Sequence, residues 1–351
     1  MLEITDELIA EVDSDGMFDL IRNFPDFWAE AIDFTTDLTL SFDHSDIREI
    51  CFAGMGGSAI GADLIRAYSY KVADLPIQVI RHYDIPEWVN EQTLFIACSY
   101  SGNTEETLKA LSQAQQRGAA IIVVTSGGQL LLNASRDNLD YIKIPGGIPP
   151  RAALAYSFVP LFRIFQKMNL LDEGDDALNE THELLLDQAE IYADYENNEA
   201  LELARQLQDS LPIIYSDATL MEPVNLRWRG QMEENAKTLA YGNNFPEMNH
   251  NEIVGWEQIA HLTGRLSVVI LKDRDDAERV LARMNITKEL IEDKSTSITV
   301  LNTFGKSRLA RMFSLIQMAD WTSLYLALLT GVDPSPVAPI DLLKSKLAEF
   351  S

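Results

Sequence analysis

Two strand-turn-helix passages constrain this chain more than any other feature. In REICFAGMGGSAIGADLI an apolar β run meets Gly54-Met55-Gly56-Gly57-Ser58-Ala59-Ile60-Gly61 and then a helix start. In TLFIACSYSGNTEETLKALSQAQQRG a second apolar run meets Ser99-Tyr100-Ser101-Gly102-Asn103-Thr104 and another helix. Glycines in such a turn let the backbone approach a ligand closely, and the free N–H groups at a helix start favour an anion. A dinucleotide fingerprint would place glycine at 54, 56 and 59, but position 59 is Ala; no GKS or GKT phosphate loop occurs either. The second turn carries the hydroxyls of Ser99, Ser101 and Thr104, with Thr104 read as the N-cap and Thr107 at N3. A neutral, donor-rich cup of this kind suits a phosphate monoester.

The rest of the chain repeats the grammar. LPIQVIRHY, AAIIVVT and LDYIKI read as further strands around these two units. The alternation restarts with LPIIYSDA, RLSVVILKD and SITVLNT, separated by helix candidates. Among the helix candidates, MEPVNLRWRGQMEENAKTLAY is opened by Pro223, and a long apolar one over SRLARMFSLIQMADWTSLYLALLT is ended by Gly331. Strands alternating with helices predict an α/β fold: two doubly wound subdomains, each with a mostly parallel sheet flanked by helices. The expected division is a helical segment over 1–46, a first α/β domain over 47–150, a helical acidic connector over 151–208, a second α/β domain over 209–331, and a closing helix over 332–351. The long apolar helix is expected inside a domain or at a dimer interface.

Charge and cysteine usage exclude several classes. With 28 Lys and Arg against 54 Asp and Glu, the net charge is −26. Nucleic-acid and anionic-membrane surfaces recruit basic patches, so neither partner is expected. The acidic, amphipathic N-terminus lacks a signal-peptide pattern, and runs such as AAIIVVT are short of a membrane span. The two cysteines, Cys51 and Cys98, form neither a disulfide framework nor a Cys-rich zinc site. No HxH or HExxH pattern occurs, so no metal and no cofactor is expected. A cytoplasmic location follows as the default.

GMGGSAIG followed by CSYSGNTEET resembles the sugar-isomerase (SIS) domain. GGIPPRAALAYS, RGQMEENAKTLAY, NNFPEMNHNEIVGWE and TGVDPSPVAPIDLLKSKL narrow the resemblance to the bifunctional phosphoglucose/phosphomannose isomerases. It implies a metal-free aldose–ketose isomerase of glycolysis and gluconeogenesis, acting on hexose 6-phosphates through a cis-enediolate. Carried over by position, Gly57, Ser58, Ser99, Ser101 and Thr104 match the phosphate cup. Glu234 matches the base, His250 the ring-opening residue, and Arg151 the group beside the enediolate. Lys344 matches an active-site lysine, with Lys346 close enough to compete. The resemblance also implies a homodimer in which His250 serves the neighbouring subunit's site.

The residues themselves fit that chemistry. Glu233 and Glu234 point ~100° apart on a helix, so they cannot share one role. Imidazole exchanges protons near neutrality, as ring opening requires. Arg151, after Pro149 and Pro150, supplies a permanent cation with forked donors. The competing reading is a non-catalytic SIS-fold regulator, which would keep the hydroxyl turns without needing Glu234, His250 and Arg151 together. Another SIS enzyme, an aminosugar-phosphate isomerase, would need an amine source that this length does not supply.

Overall fold

The apolar runs of the sequence become two all-parallel sheets. The computed structural model describes residues 3–42, 44–196, 198–262 and 264–349. The first sheet contains β1 (Glu49–Ala53), β2 (Ile77–Ile80), β3 (Thr93–Ser99), β4 (Ala120–Thr125) and β5 (Asp140–Lys143), in the order β2-β1-β3-β4-β5. The second contains β6 (Leu211–Asp217), β7 (Tyr241–Phe245), β8 (Leu266–Lys272) and β9 (Ser297–Asn302), in the order β7-β6-β8-β9. Every pairing is parallel. Parallel strands need helical crossovers that cover both faces, so central strands are apolar throughout. β3 is buried along its whole length, and β8 along all but its last residue.

Three clusters of buried side chains result. One lies outside the first sheet, around Phe95, Leu111 and Val123, and one outside the second, around Tyr215, Phe245 and Trp256. The third lies between the sheets and is continuous across both halves, from Trp28 and Phe52 through Phe162 to Trp228 and Trp321. The acidic middle of the chain forms helices Leu154–Lys167, Asp175–Ala193 and Glu199–Leu207, whose apolar faces enter this shared core.

The helix Arg308–Thr330 is long and apolar enough to span a bilayer, but its whole apolar window is buried inside the protein. Ser307 starts it by accepting from the Ala310 N–H at 3.1 Å, and Gly331 ends it at φ 66°. Its Asp320 carboxylate takes two hydrogen bonds from Arg227 Nη2, at 2.9 and 2.7 Å, and one from Gln231 Nε2 at 2.8 Å. That ion pair is enclosed on both sides.

One expectation is corrected. The helix opened by Pro223 does not continue to Tyr241; it spans Glu222–Glu234. Lys237 then takes φ 53°, in the left-handed region, and Tyr241–Phe245 leaves as edge strand β7 beside β6.

Asp320→Ala leaves the Arg227 charge buried without its partner, which costs about 3–5 kcal/mol. Equilibrium denaturation of the variant checks this; a loss below about 1 kcal/mol, the scale of an exposed pair, contradicts it.

Candidate active site

The order of each sheet creates a crevice where neighbouring strands send their crossovers in opposite directions. In the first sheet that point lies between the carboxyl ends of β1 and β3, where α/β folds hold ligands. The two turns singled out in the sequence occupy it. Gly56 has φ 49° and precedes helix Gly57–Ser69. A Cβ on Gly57 would lie 3.1 Å from the Pro150 carbonyl oxygen, so the loop that brings in Arg151 sits directly against this turn. Gly102 has φ 69°, and a Cβ there would lie 1.8 Å from the Gly127 carbonyl oxygen; no other residue fits without moving the backbone.

The hydroxyls tie the two turns together. Ser58 Oγ accepts from the Tyr100 N–H at 2.9 Å, which leaves its own proton free. Ser99 is enclosed; its Oγ accepts from the Gly102 N–H at 3.1 Å and shares a 2.8 Å hydrogen bond with Thr104 Oγ1. Thr104 therefore holds the N-cap position of helix Glu105–Gln116 without a side-chain cap bond, because its hydroxyl turns to Ser99 instead. Ser101 is exposed at the lip, and its Oγ accepts from the Asn103 N–H at 3.3 Å. Ser58 and Thr104 are half-buried and Ser101 is exposed, while the enclosed Ser99 braces Thr104.

Arg151 links this cup to the second half. It is buried, and Nε donates to Asn235 Oδ1 at 2.7 Å. Nη2 donates to the carbonyls of Pro334 and Ser335 at 2.7 and 2.9 Å, and Nη1 meets Glu234 Oε2 at 3.5 Å. A guanidinium has five N–H donors, so among the described residues one remains, on Nη1 beside the carboxylate. Burial lowers the Arg151 pKa from its ordinary value, Glu234 opposes the shift, and Arg227 adds to it. Glu234 is half-buried at the end of its helix, whereas Glu233 is exposed. The side chains thus separate the two glutamates that periodicity left equivalent.

His250 and Lys344 lie elsewhere in the chain. His250 is exposed at the end of the short helix Glu247–His250, whose Met248 belongs to the outer cluster of the second sheet. Glu234 ends a helix whose Met232 enters the core between the sheets. Lys344 and Lys346 stand on helix Ala338–Leu347, which has no buried residue. Among the described residues none of the three forms an ion pair with Glu234. No group of three or more His, Cys, Asp or Glu among the described residues is placed to hold a metal.

The matching crevice of the second sheet, at the ends of β6 and β8, is built differently. Carboxylates take the place of hydroxyls. Asp217 accepts from the Thr219 N–H at 2.7 Å, and Asp273 is paired with Arg311 Nε at 2.8 Å. Asp276 Oδ2 accepts from the Asp273 N–H at 2.9 Å. Burial, reinforced by Asp217 and Asp273 and opposed by that N–H, raises Asp276 to about 7. Of the two crevices, the first sheet's is the one lined by hydroxyls.

Residues 45–158 match the SIS domain, and residues 196–347 match the bacterial phospho-glucose isomerase C-terminal SIS domain. A bifunctional phosphoglucose/phosphomannose isomerase of Caldicellulosiruptor bescii is 44% identical over 337 residues, 95% of this chain and 99% of that protein. The protein of the same name from Aquifex aeolicus is 34% identical, over 88% of this chain and 93% of its own length. A hypothetical protein of Thermus thermophilus shares the fold with a TM-score of 0.75 at 16% identity, covering 98% of this chain and 92% of its own.

Asp276 titrates high when folded and near 4 when unfolded, so it favours folding at low pH and loses that contribution as pH rises through about 7. Asp276→Asn removes the penalty, and its melting temperature should exceed the wild type's by more at pH 8 than at pH 5. An equal difference at both pH values contradicts the assignment.

Proposed function

Because the chain belongs to the bifunctional phosphoglucose/phosphomannose isomerase family and is an isomerase, we propose that it interconverts glucose 6-phosphate and mannose 6-phosphate with fructose 6-phosphate. The observation that carries the reading is the Arg151–Glu234 contact beside a hydroxyl cup, three elements that a passive binding module has no need to assemble. The phosphate sits on Ser58, Ser101 and Thr104, on the Gly57 turn and over the Ser99 brace. The sugar then extends past Pro150 toward Glu234.

Each residue has a defined task. The ring opens when the anomeric hydroxyl loses its proton and the ring oxygen gains one; His250 conducts this exchange, with Lys344 or Lys346 near the ring oxygen. Glu234 removes the proton from C2 of the open aldose, and the C2–H electron pair forms the C1–C2 double bond of a cis-enediolate. The remaining Nη1 donor of Arg151 lies on the side where negative charge develops, as electrostatic stabilisation requires. The C2 hydroxyl passes its proton to the C1 oxygen, Glu234 returns the carbon proton to C1, and the C2 oxygen becomes the ketone while C1 keeps its hydroxyl. A fixed carboxylate that reaches both carbons avoids a second base.

The placement of His250 supports a homodimer. Its segment and the Glu234 helix end pack on different sides of the second sheet, so a histidine arriving from a second copy resolves the geometry. Helix Ala338–Leu347 also leaves Leu342, Leu343 and Leu347 more than half exposed, an apolar face that a second copy would cover. The same reading places the enzyme in the cytoplasm, with Cys51 and Cys98 as buried free thiols.

The test is a coupled assay on fructose 6-phosphate that reads glucose 6-phosphate and mannose 6-phosphate separately. Glu234→Gln should bind the sugar phosphate and lose about 10²–10⁴ in turnover. His250→Ala should be impaired as well. Mixing the two variants under subunit exchange should restore activity toward about a quarter of wild type, because half of each hybrid dimer's sites are intact. Near-normal turnover by Glu234→Gln removes it from the mechanism, and no recovery on mixing contradicts the shared site.

A further inference from the structure

Helix Glu222–Glu234 is followed by a residue type that rarely turns a chain in this way. Lys237 is one of four non-glycine residues described with positive φ, at 53°; the other three are Asn138, Asn169 and Asp209. Asn and Asp tolerate that conformation through short polar side chains, whereas a lysine there costs roughly 1–2 kcal/mol. Glycine would turn the chain without the cost. What the lysine adds is its ammonium, which folds back onto the site. Nζ donates to the Glu234 carbonyl oxygen at 2.6 Å and to the Pro334 carbonyl oxygen at 3.0 Å. The first is a carbonyl of the last helical turn, where a cation also meets the negative end of the helix dipole. The second already accepts from Arg151 Nη2 at 2.7 Å.

We propose that Lys237 is a positioning residue for the isomerisation: its ammonium fixes the helix end that carries Glu234 and, through the Pro334 carbonyl it shares with Arg151, pins the 332–337 strap to that same end. The proposal rests on the assignment of Glu234 as base. Without Lys237 the helix end loses a carbonyl partner, and this side of the strap keeps only the Arg151 bonds to Pro334 and Ser335. The carboxylate then loses its fixed aim at the two carbons. A side chain free to wander by an ångström is enough to slow such a step. The strap continues into helix Ala338–Leu347, so the same pin also sets where Lys344 and Lys346 emerge.

The charged groups that face the ammonium are Arg151 from the inter-sheet loop, Glu234 from the helix and Asp333 from the strap. Partial shielding from water and the neighbouring Arg151 lower the Lys237 pKa, while Asp333 and Glu234 oppose that shift. The pin is therefore lost in alkaline solution sooner than an ordinary lysine would be.

The experiment compares Lys237→Met, Lys237→Arg and Glu234→Gln in the full-length protein with fructose 6-phosphate. Lys237→Met should lower kcat on the order of tenfold or more, with KM within about twofold, because the cup is untouched. Lys237→Arg keeps a permanent cation and forked donors; it should recover most of kcat and move the alkaline fall in kcat to higher pH. Hydrogen exchange in residues 332–337 should quicken in Lys237→Met and not in Lys237→Arg. Should Lys237→Met fold poorly, the pH profile and exchange of Lys237→Arg still decide. Unchanged kcat in Lys237→Met, or an alkaline limb identical in wild type and Lys237→Arg, overturns the proposal. If Glu234→Gln itself turns over normally, the base assignment has failed instead, and the two failures are read separately.

Discussion

A buried guanidinium joins the two halves of this enzyme at the site. Arg151 enters on the loop that leaves the first sheet and ends among groups from the second: Asn235, Glu234 and the carbonyls of Pro334 and Ser335. Burying such a charge is costly unless its donors are met. Here three donors are committed to Asn235, Pro334 and Ser335, a fourth meets the Glu234 carboxylate, and the fifth is left beside it. Loop, helix end and strap cannot drift apart without unpairing it. On the proposed mechanism, the group that the fold must fix is also the cation beside the enediolate.

The two sheets have the same grammar and different uses. Both are parallel and doubly wound, and both form a crevice at a switch in strand order. In the first, glycines and hydroxyls line it; in the second, Asp217, Asp273 and Asp276 fill it. That division keeps the hydroxyl-lined crevice apart from the Asp cluster in a chain of net charge −26. The second half supplies the end of a helix, whose buried face enters the core shared between the sheets.

The central strands and the two strand-turn-helix passages were legible in the sequence because continuous apolar runs and glycine turns are local signals. In those turns Gly56 and Gly102 take positive φ, at 49° and 69°. The strand β7 was not legible: YGNNF has no β-branched residue, and its position is set by pairing with β6 at the sheet edge. The end of the preceding helix was missed for a related reason, since a lysine in the left-handed region carries none of the signal that glycine would. Thr104 was recognised as a cap by position, but its hydroxyl answers to Ser99, a tertiary contact. Choosing Glu234 over Glu233 from the residues alone needed Arg151, which lies 83 residues away in the chain. His250 is exposed at the end of a short helix on the far side of the second sheet, and no local pattern in the sequence encodes that placement.

If the hydroxyl cup and Glu234 grip one substrate from opposite ends, the most direct measurement is a crystal structure of the protein with an unreactive open-chain hexose 6-phosphate analogue. The phosphate should lie within hydrogen-bond distance of Ser58, Ser101 and Thr104, with both C1 and C2 about 3–3.5 Å from the Glu234 carboxylate. A phosphate seated in the cup with those carbons turned away from Glu234 would contradict it.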